Sequence, residues 1–279
     1  MKIEYSEIRL SSSEQILNEF NRCHGWIFRG HNDHKFKMVS SLERFIDSRD
    51  QESYAKFAPD IEEYLLHEFK SRAHHYISRD SLPITKLGWL SLMQHHGCPT
   101  RMLDFTYSPY IALFFAQDGF KEKQDKEMAV WAIDNSYLEK ECFNYLTRCN
   151  VINVNYKSYS TTKDDIFSNS VDKNNHEIIF PTQPLQINLR LENQMGLFLM
   201  SGSNKLNLDS IFMKVTHSET PAKKFIIPEC MHNDVLKMLI SMGINYRKIY
   251  PGLDGMAKDI AINLQIGLKD KFANNIIKN

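Results

Sequence analysis

Residues 94–116 read QHHGCPTRMLDFTYSPYIALFFA, a polar stretch set between two apolar helical patterns. Upstream, LGWLSLMQHHG (87–97) has a helical spacing that Gly97 and Pro99 stop. Downstream, Ser108 or Thr106 can cap a helix that opens at Pro109. Ile111, Ala112, Leu113, Phe114 and Phe115 make that helix apolar nearly all round, which predicts that it is buried. The polar stretch holds His95, His96, Arg101, Asp104 and several hydroxyls within sixteen residues. Capping and an Asp104–Arg101 pair account for Asp104, Thr106 and Ser108 by architecture alone. They do not account for His95, His96 and Arg101 together, and that density favours a pocket wall. Adjacent histidines cannot both face one metal from a regular helix, so the pair is not a metal site.

Working outward, Ser11 to Ser13 offer a cap for a helix with Ile16, Leu17 and Phe20 on one face. Gly25 ends it, and Trp26-Ile27-Phe28 suits a buried strand. Tyr54, Phe57, Ile61, Leu65 and Phe69 recur at helical intervals between Gln51 and Tyr76. KEKQDKE (121–127) is a charged turn and EMAVWAIDN (127–135) a central strand. Residues 150–175 are polar and read as a long mobile loop or insertion, a segment expected near the cleft mouth. HEIIFP (176–181), PLQINLRLE (184–192), GLFLMSG (196–202) and FIIP (225–228) read as strands. DVLKMLISMGI (234–244) is an amphipathic helix ending at Gly243. The pattern predicts one α+β domain over 1–279, helical in its first 120 residues and strand-rich afterwards.

Hydrophobic residues make up 42% of the 279 and charged residues 24%, which is a globular profile rather than a disordered one. Lys+Arg and Asp+Glu both total 34. This balance excludes a protein held on nucleic acid by bulk charge. No apolar run reaches the ~18–20 residues that span a bilayer, and MKIEYSEIRL lacks the apolar core of a secretory signal. A cytoplasmic chain is expected. The five cysteines form no Cys-x-x-Cys pair, so they read as buried free thiols rather than a zinc site.

Two more clusters carry chemistry. Arg29 follows the apolar strand and is joined by Gly30 and His31. A guanidinium there needs an anion, either a structural carboxylate or a bound phosphate or carboxylate. Gly30 permits close approach of that ligand. On the strand reading, Arg190, Glu192 and Gln194 share one face opposite Leu189 and Leu191. That polar face is either solvated or lines a cleft. Tyr250 to Gly255 make a turn and a helix start, for which structural roles suffice.

WIFRGH, HHGCPTRMLDFTYSPYIALFFA, PLQINLRLENQMGLF and GINYRKIYPGLDG together resemble the FRG domain, named for its Phe-Arg-Gly triplet, over about residues 25–260. That family resembles a remote branch of the ADP-ribosyltransferase superfamily. The resemblance implies a split β-sheet holding NAD as substrate, with no metal. Arg29 would be catalytic and contact the dinucleotide, helped by Gly30, His31, His96 and Arg101. Asp104, Thr106, Tyr107 and Ser108 would bind the nicotinamide side, with Phe105, Phe114 and Phe115 walling the ring. Glu192 and Gln194 would complete the catalytic set. Many transferases carry a glutamate where Gln194 stands. A glutamine can bond a ribose hydroxyl but cannot take its proton, so Glu192 would supply the carboxylate. The resemblance further implies a toxin or anti-phage effector acting on an intracellular acceptor, RNA or protein, with a neighbouring antitoxin as partner. The alternative is a non-catalytic nucleic-acid-binding or regulatory module that uses the same cations for phosphates.

Overall fold

The computed structural model describes residues 2–46, 51–118, 126–151, 166–173, 175–184, 187–203, 207–217 and 219–276. The chain opens with β1 (Ile3–Arg9), α1 (Ser13–Arg22), β2 (Trp26–His31), α2 (Ser41–Phe45) and α3 (Gln51–Ala73). Then come α4 (Lys86–His95), β3 (Met102–Thr106), α5 (Pro109–Gln117), β4 (Met128–Asp134) and α6 (Asn135–Arg148). The second half adds β5 (Ile179–Thr182), α7 (Leu189–Asn193), β6 (Gly196–Ser201), β7 (Phe212–Lys214) and β8 (Ala222–Ile227). It ends with α8 (His232–Ser241), α9 (Tyr246–Ile249) and α10 (Leu253–Ile276). The α+β class holds, but three strands fall in the first 120 residues. Among the described residues no helix is long and apolar enough to cross a membrane.

The strands form one sheet in the order β5-β6-β3-β2-β4-β8-β1-β7. β1 runs parallel to β7 and β8, and the other pairs are antiparallel. The joint between β2 and β3 sets up the site. β2 pairs with β4 from Trp26↔Asp134 to His31↔Ala129, and β3 pairs with β6 from Met102↔Met200 to Thr106↔Gly196. Between β2 and β3 the only registered pair is Phe28↔Thr106. Continued pairing would put Gly30 opposite Asp104, yet the strands have parted by then. The sheet is continuous in order but forked at its middle.

Alternation along β4 divides the core. Met128, Val130 and Ala132 pack with Phe28, Phe225 and the helices α1, α5 and α8 on one face. Trp131 and Ile133 join Ile27, Leu103, Phe105 and Leu199 on the other. Gly30 lets α5 lie directly on β2. A Cβ there would overlap the backbone carbonyl oxygen of Ala112 and sit 2.5 Å from the Ala116 nitrogen. The glycine thus serves helix packing, where the sequence suggested room for a ligand. Gly30→Ala should cost ~3 kcal/mol, the upper end of overpacking, because backbone rather than a pliable side chain must move. Urea denaturation would check it, and an unchanged midpoint would refute the close packing.

A third cluster joins α3 and α4 to β5 and β6 through Leu66, Leu90, Met93, Phe180 and Phe198. The buried face of α3 carries Ala58, Glu62, Leu66 and Ala73, whereas Phe57 is exposed. The expected polar segment 150–175 is only partly described, since 152–165 lie outside the described residues. Within it Ile166, Phe167 and Val171 are buried in the third cluster, so that stretch is core. Most of the charged turn, 121–125, also lies outside the described residues. Of the free cysteines, Cys23 and Cys142 are buried, Cys98 is half-buried, and Cys149 and Cys230 are exposed.

Residues 189–194 form a helical turn and its cap, not the strand that their alternation predicts. Asn188 accepts a hydrogen bond from Leu191 N at 2.8 Å and caps a single helical turn, α7, with Gln194 closing it. Strand alternation therefore does not apply. The cap competes for the backbone, and a run as short as LRLEN fits one helical turn as well as it fits a strand.

Candidate functional site

A cavity of about 230 Å³ occupies the fork between β2 and β3. Phe28, Arg29 and Gly30 of β2 and Asp104, Phe105 and Thr106 of β3 form its floor. α4 contributes Ser91, Gln94 and His95, and α5 contributes Phe115. Arg190 and Leu191 of α7, its cap residues Asn188 and Gln194, and Gly196 and Phe198 of β6 close the remaining side.

Arg29 fills the gap where the strands separate. Its Nη1 donates to the Asp104 carbonyl oxygen at 2.6 Å, and its Nε donates to His31 Nε2 at 3.1 Å. Neither partner is a carboxylate, and Arg29 forms no ion pair among the described residues. Burial pulls its pKa below the ordinary value; Asp104 opposes that shift and Arg44 adds to it. An arginine nonetheless remains charged in proteins. Arg190, the second guanidinium of the cavity, lies 5.0 Å from the centre of the Tyr250 ring and has no carboxylate partner among the described residues. Asp104 is the one acidic side chain in the lining; its Oδ2 accepts from Gln94 Nε2 at 3.0 Å. Gln94 in turn accepts from Thr100 Oγ1 at 2.5 Å, which fixes its orientation. His95 is half-buried, and burial, followed by the His96 and Arg190 charges, lowers its pKa. Two guanidiniums outside any ion pair among the described residues, against a single carboxylate, make the cavity anion-seeking, and four phenylalanines give it flat apolar walls.

Residues 24–127 match the family model of the FRG domain. No curated protein and no solved structure matches the chain. The FRG segment spans β2 to α5, which is narrower than the 25–260 expected from the sequence. It supplies Arg29, His95 and Asp104. Arg190 and Gln194 come from beyond it, so the cavity is completed by chain outside the FRG match.

The cavity gathers Arg29, Gly30, Asp104, Thr106, Gln194, Phe105 and Phe115 from the expected set. It omits several others, each for a visible reason. Glu192 is exposed on α7 and does not line the cavity. The Gln194 side chain donates to the Ile249 carbonyl at 3.2 Å, and so ties α7 to α9. Arg101 is buried against Glu62, with Nε 2.9 Å and 2.8 Å from the two carboxylate oxygens. Asp104 is therefore not the partner of Arg101. His96 is exposed and stacks on Phe69. Tyr107 packs against the core cluster of Leu103 and Phe105, and Phe114 is buried in the cluster around Phe28. Ser108 caps α5 by accepting from Ile111 N at 3.3 Å, and Thr106 donates to the Gln194 carbonyl at 2.7 Å. Ser91 was not singled out by the sequence; a serine on an apolar helix gives no distinctive signal. Among the described residues no cluster of three His, Cys, Asp or Glu could hold a metal.

His31 is buried and does not line the cavity; it accepts from Arg29, which does. Burial, with the Arg29 and Lys224 charges adding to it, pushes its imidazole down to about 3. The native state thus refuses a proton that the unfolded chain takes below about pH 6.5. Stability should fall with decreasing pH through the window from about 6.5 to 3. Between pH 7 and pH 5 this group alone should cost ~2 kcal/mol. Urea denaturation of wild type and His31→Gln at both pH values reads the difference, since glutamine can still accept from Arg29. An equal acid loss in the two proteins would show that His31 is protonated in the native state.

Proposed function

We propose that the forked cavity binds NAD as a substrate and that the chain transfers its ADP-ribosyl group to an intracellular macromolecule. The observation that carries this reading is the pair of guanidiniums, Arg29 and Arg190, which line one cavity with a single carboxylate and form no ion pair among the described residues. Two fixed cations suit the two charges of a pyrophosphate, which arginine binds through its planar fork. The cavity is smaller than a typical ligand pocket of ~300–1,000 Å³, so it would enclose one half of a dinucleotide, with the other half at the open mouth. Phe105, Phe115 and Phe198 offer flat walls for a ring.

The chemistry asks little covalent help of the protein. The bond between ribose C1 and the nicotinamide nitrogen breaks, its electron pair stays with the nitrogen, and neutral nicotinamide leaves. Positive charge builds on the ribose and favours a fixed negative group nearby. Asp104, rather than Glu192, is the carboxylate in position to supply it. A nucleic-acid groove would instead string its cations along an open surface; these lie in a cavity.

Competition binding tests the reading. NAD and inorganic pyrophosphate should displace one another from a single site, whereas adenosine, lacking phosphate, should not compete. Nicotinamide release from NAD should follow when the acceptor is supplied, and expression of the wild-type chain should slow host growth. Binding of single-stranded RNA with no binding of NAD or pyrophosphate would favour the nucleic-acid module instead.

A further inference from the structure

Arg190 has no carboxylate partner among the described residues, yet it lines the cavity from a helix of one turn. Its side chain rests on an aromatic ring that is itself anchored. The Tyr250 hydroxyl donates to Asp118 Oδ2 at 2.8 Å, and the Tyr246 hydroxyl donates to Asp118 Oδ1 at 2.9 Å. Both carboxylate oxygens are thus taken by phenols. The two tyrosine rings stack, with centroids 6.1 Å apart, and Phe114 and Phe115 of α5 pack edge-on against them. Asp118 is the residue that ends α5, so α5 presents Phe115 to the cavity and anchors the ring that carries Arg190.

We infer that Tyr250, anchored by Asp118, is a positioning residue that holds Arg190 at the cavity for an anionic ligand. A phenol that donates to a carboxylate gains electron density, which makes the ring face more attractive to a guanidinium. The charge of Asp118 thereby reaches Arg190 through the ring, without neutralising it as a direct ion pair would. Arg190 is oriented yet left free to meet a phosphate. Lys258 lies 5.4 Å from the same ring and is the other cation near it. The ligand class follows from the proposed function and rests on it; the seat of Arg190 does not.

The test has two arms. In the ligand-free protein, Arg190→Ala, Tyr250→Leu and their double variant form a thermodynamic cycle read by thermal melting. The summed shifts in melting temperature of the single variants should exceed that of the double. Additive shifts would overturn the inference. In the second arm, pyrophosphate and NAD affinities are measured. Tyr250→Leu should weaken both about tenfold, as Arg190→Ala does, and the double variant should be no worse. Tyr250→Phe, which keeps the ring but loses its hydrogen bond to Asp118, and Asp118→Asn, which keeps the ring but removes the anchoring charge, should fall between wild type and Tyr250→Leu. Should Tyr250→Leu bind pyrophosphate like wild type, the ring does not position Arg190 for a ligand. Coupled melting with no binding of either ligand to wild type would uphold the seat of Arg190 and overturn the NAD reading.

Discussion

Replacing Arg101 by alanine should lower stability by ~3–5 kcal/mol, because it would leave the Glu62 carboxylate buried without its counter-charge. The two side chains are 4% and 2% exposed, so water cannot reach in to compensate. Arg101 also donates to the Val171 carbonyl at 3.3 Å, which joins α3, the start of β3 and the buried turn at 167–171. Losing it would loosen three elements at once. Equilibrium urea unfolding gives the cost directly. The double replacement Arg101→Met with Glu62→Leu should recover much of the loss, since a buried ion pair exchanged for apolar groups of like volume is often neutral. An Arg101→Ala protein as stable as wild type but weak in NAD binding would return Arg101 to the ligand site.

The Arg101–Glu62 pair also shows where a sequence reading stops. Helical spacing in α3 is plain, and Ile61, Leu65 and Phe69 do pack on the core, but its fully buried positions are Ala58, Glu62, Leu66 and Ala73 beside them, and Phe57 is exposed. A helical wheel assigns charge to solvent, and Glu62 breaks that rule only because a cation thirty-nine residues later meets it. Arg101 was misplaced for the same reason. Its partner was sought nearby in Asp104, while the real one lay on another helix. Long-range pairing of two charges leaves no local trace in either segment.

Other features were legible because they are local. Ser108 followed by Pro109 announces α5 through a cap and a pre-set φ. The strands β4, β6 and β8 are apolar runs bounded by turns. β1 is hard to read because IEYSEIR mixes polar and apolar residues, and β3 because its exposed Asp104 and neighbouring Arg101 give it the look of a loop. The fork between β2 and β3 could not be read from residues at all. It is a relation between two strands seventy-odd residues apart, and it turns a polar cluster into a cavity.

Arg29→Ala should weaken NAD and pyrophosphate binding by at least thirtyfold while leaving stability within about 1 kcal/mol of wild type. The two halves of that expectation have one source. Arg29 is half-buried, and its hydrogen bonds go to the Asp104 carbonyl and the His31 imidazole rather than to a carboxylate. Its charge therefore gains little in the empty protein, and removing it costs the fold little, in contrast to Arg101. A bound phosphate would meet a cation already stripped of part of its water on folding, and truncating one member of such a hydrogen-bonded charge pair costs ~2–5 kcal/mol, or at least thirtyfold in affinity. Arg29→Lys should retain part of the affinity, since the charge survives but the planar fork that reaches His31 and Asp104 does not. Calorimetric titration with pyrophosphate, beside urea unfolding of the same samples, separates the two halves. Unfolding of Arg29→Ala would make the guanidinium a structural element like Arg101. A folded variant that binds as wild type does would remove Arg29 from the site, and with it the argument that the fork between β2 and β3 exists to hold an anion.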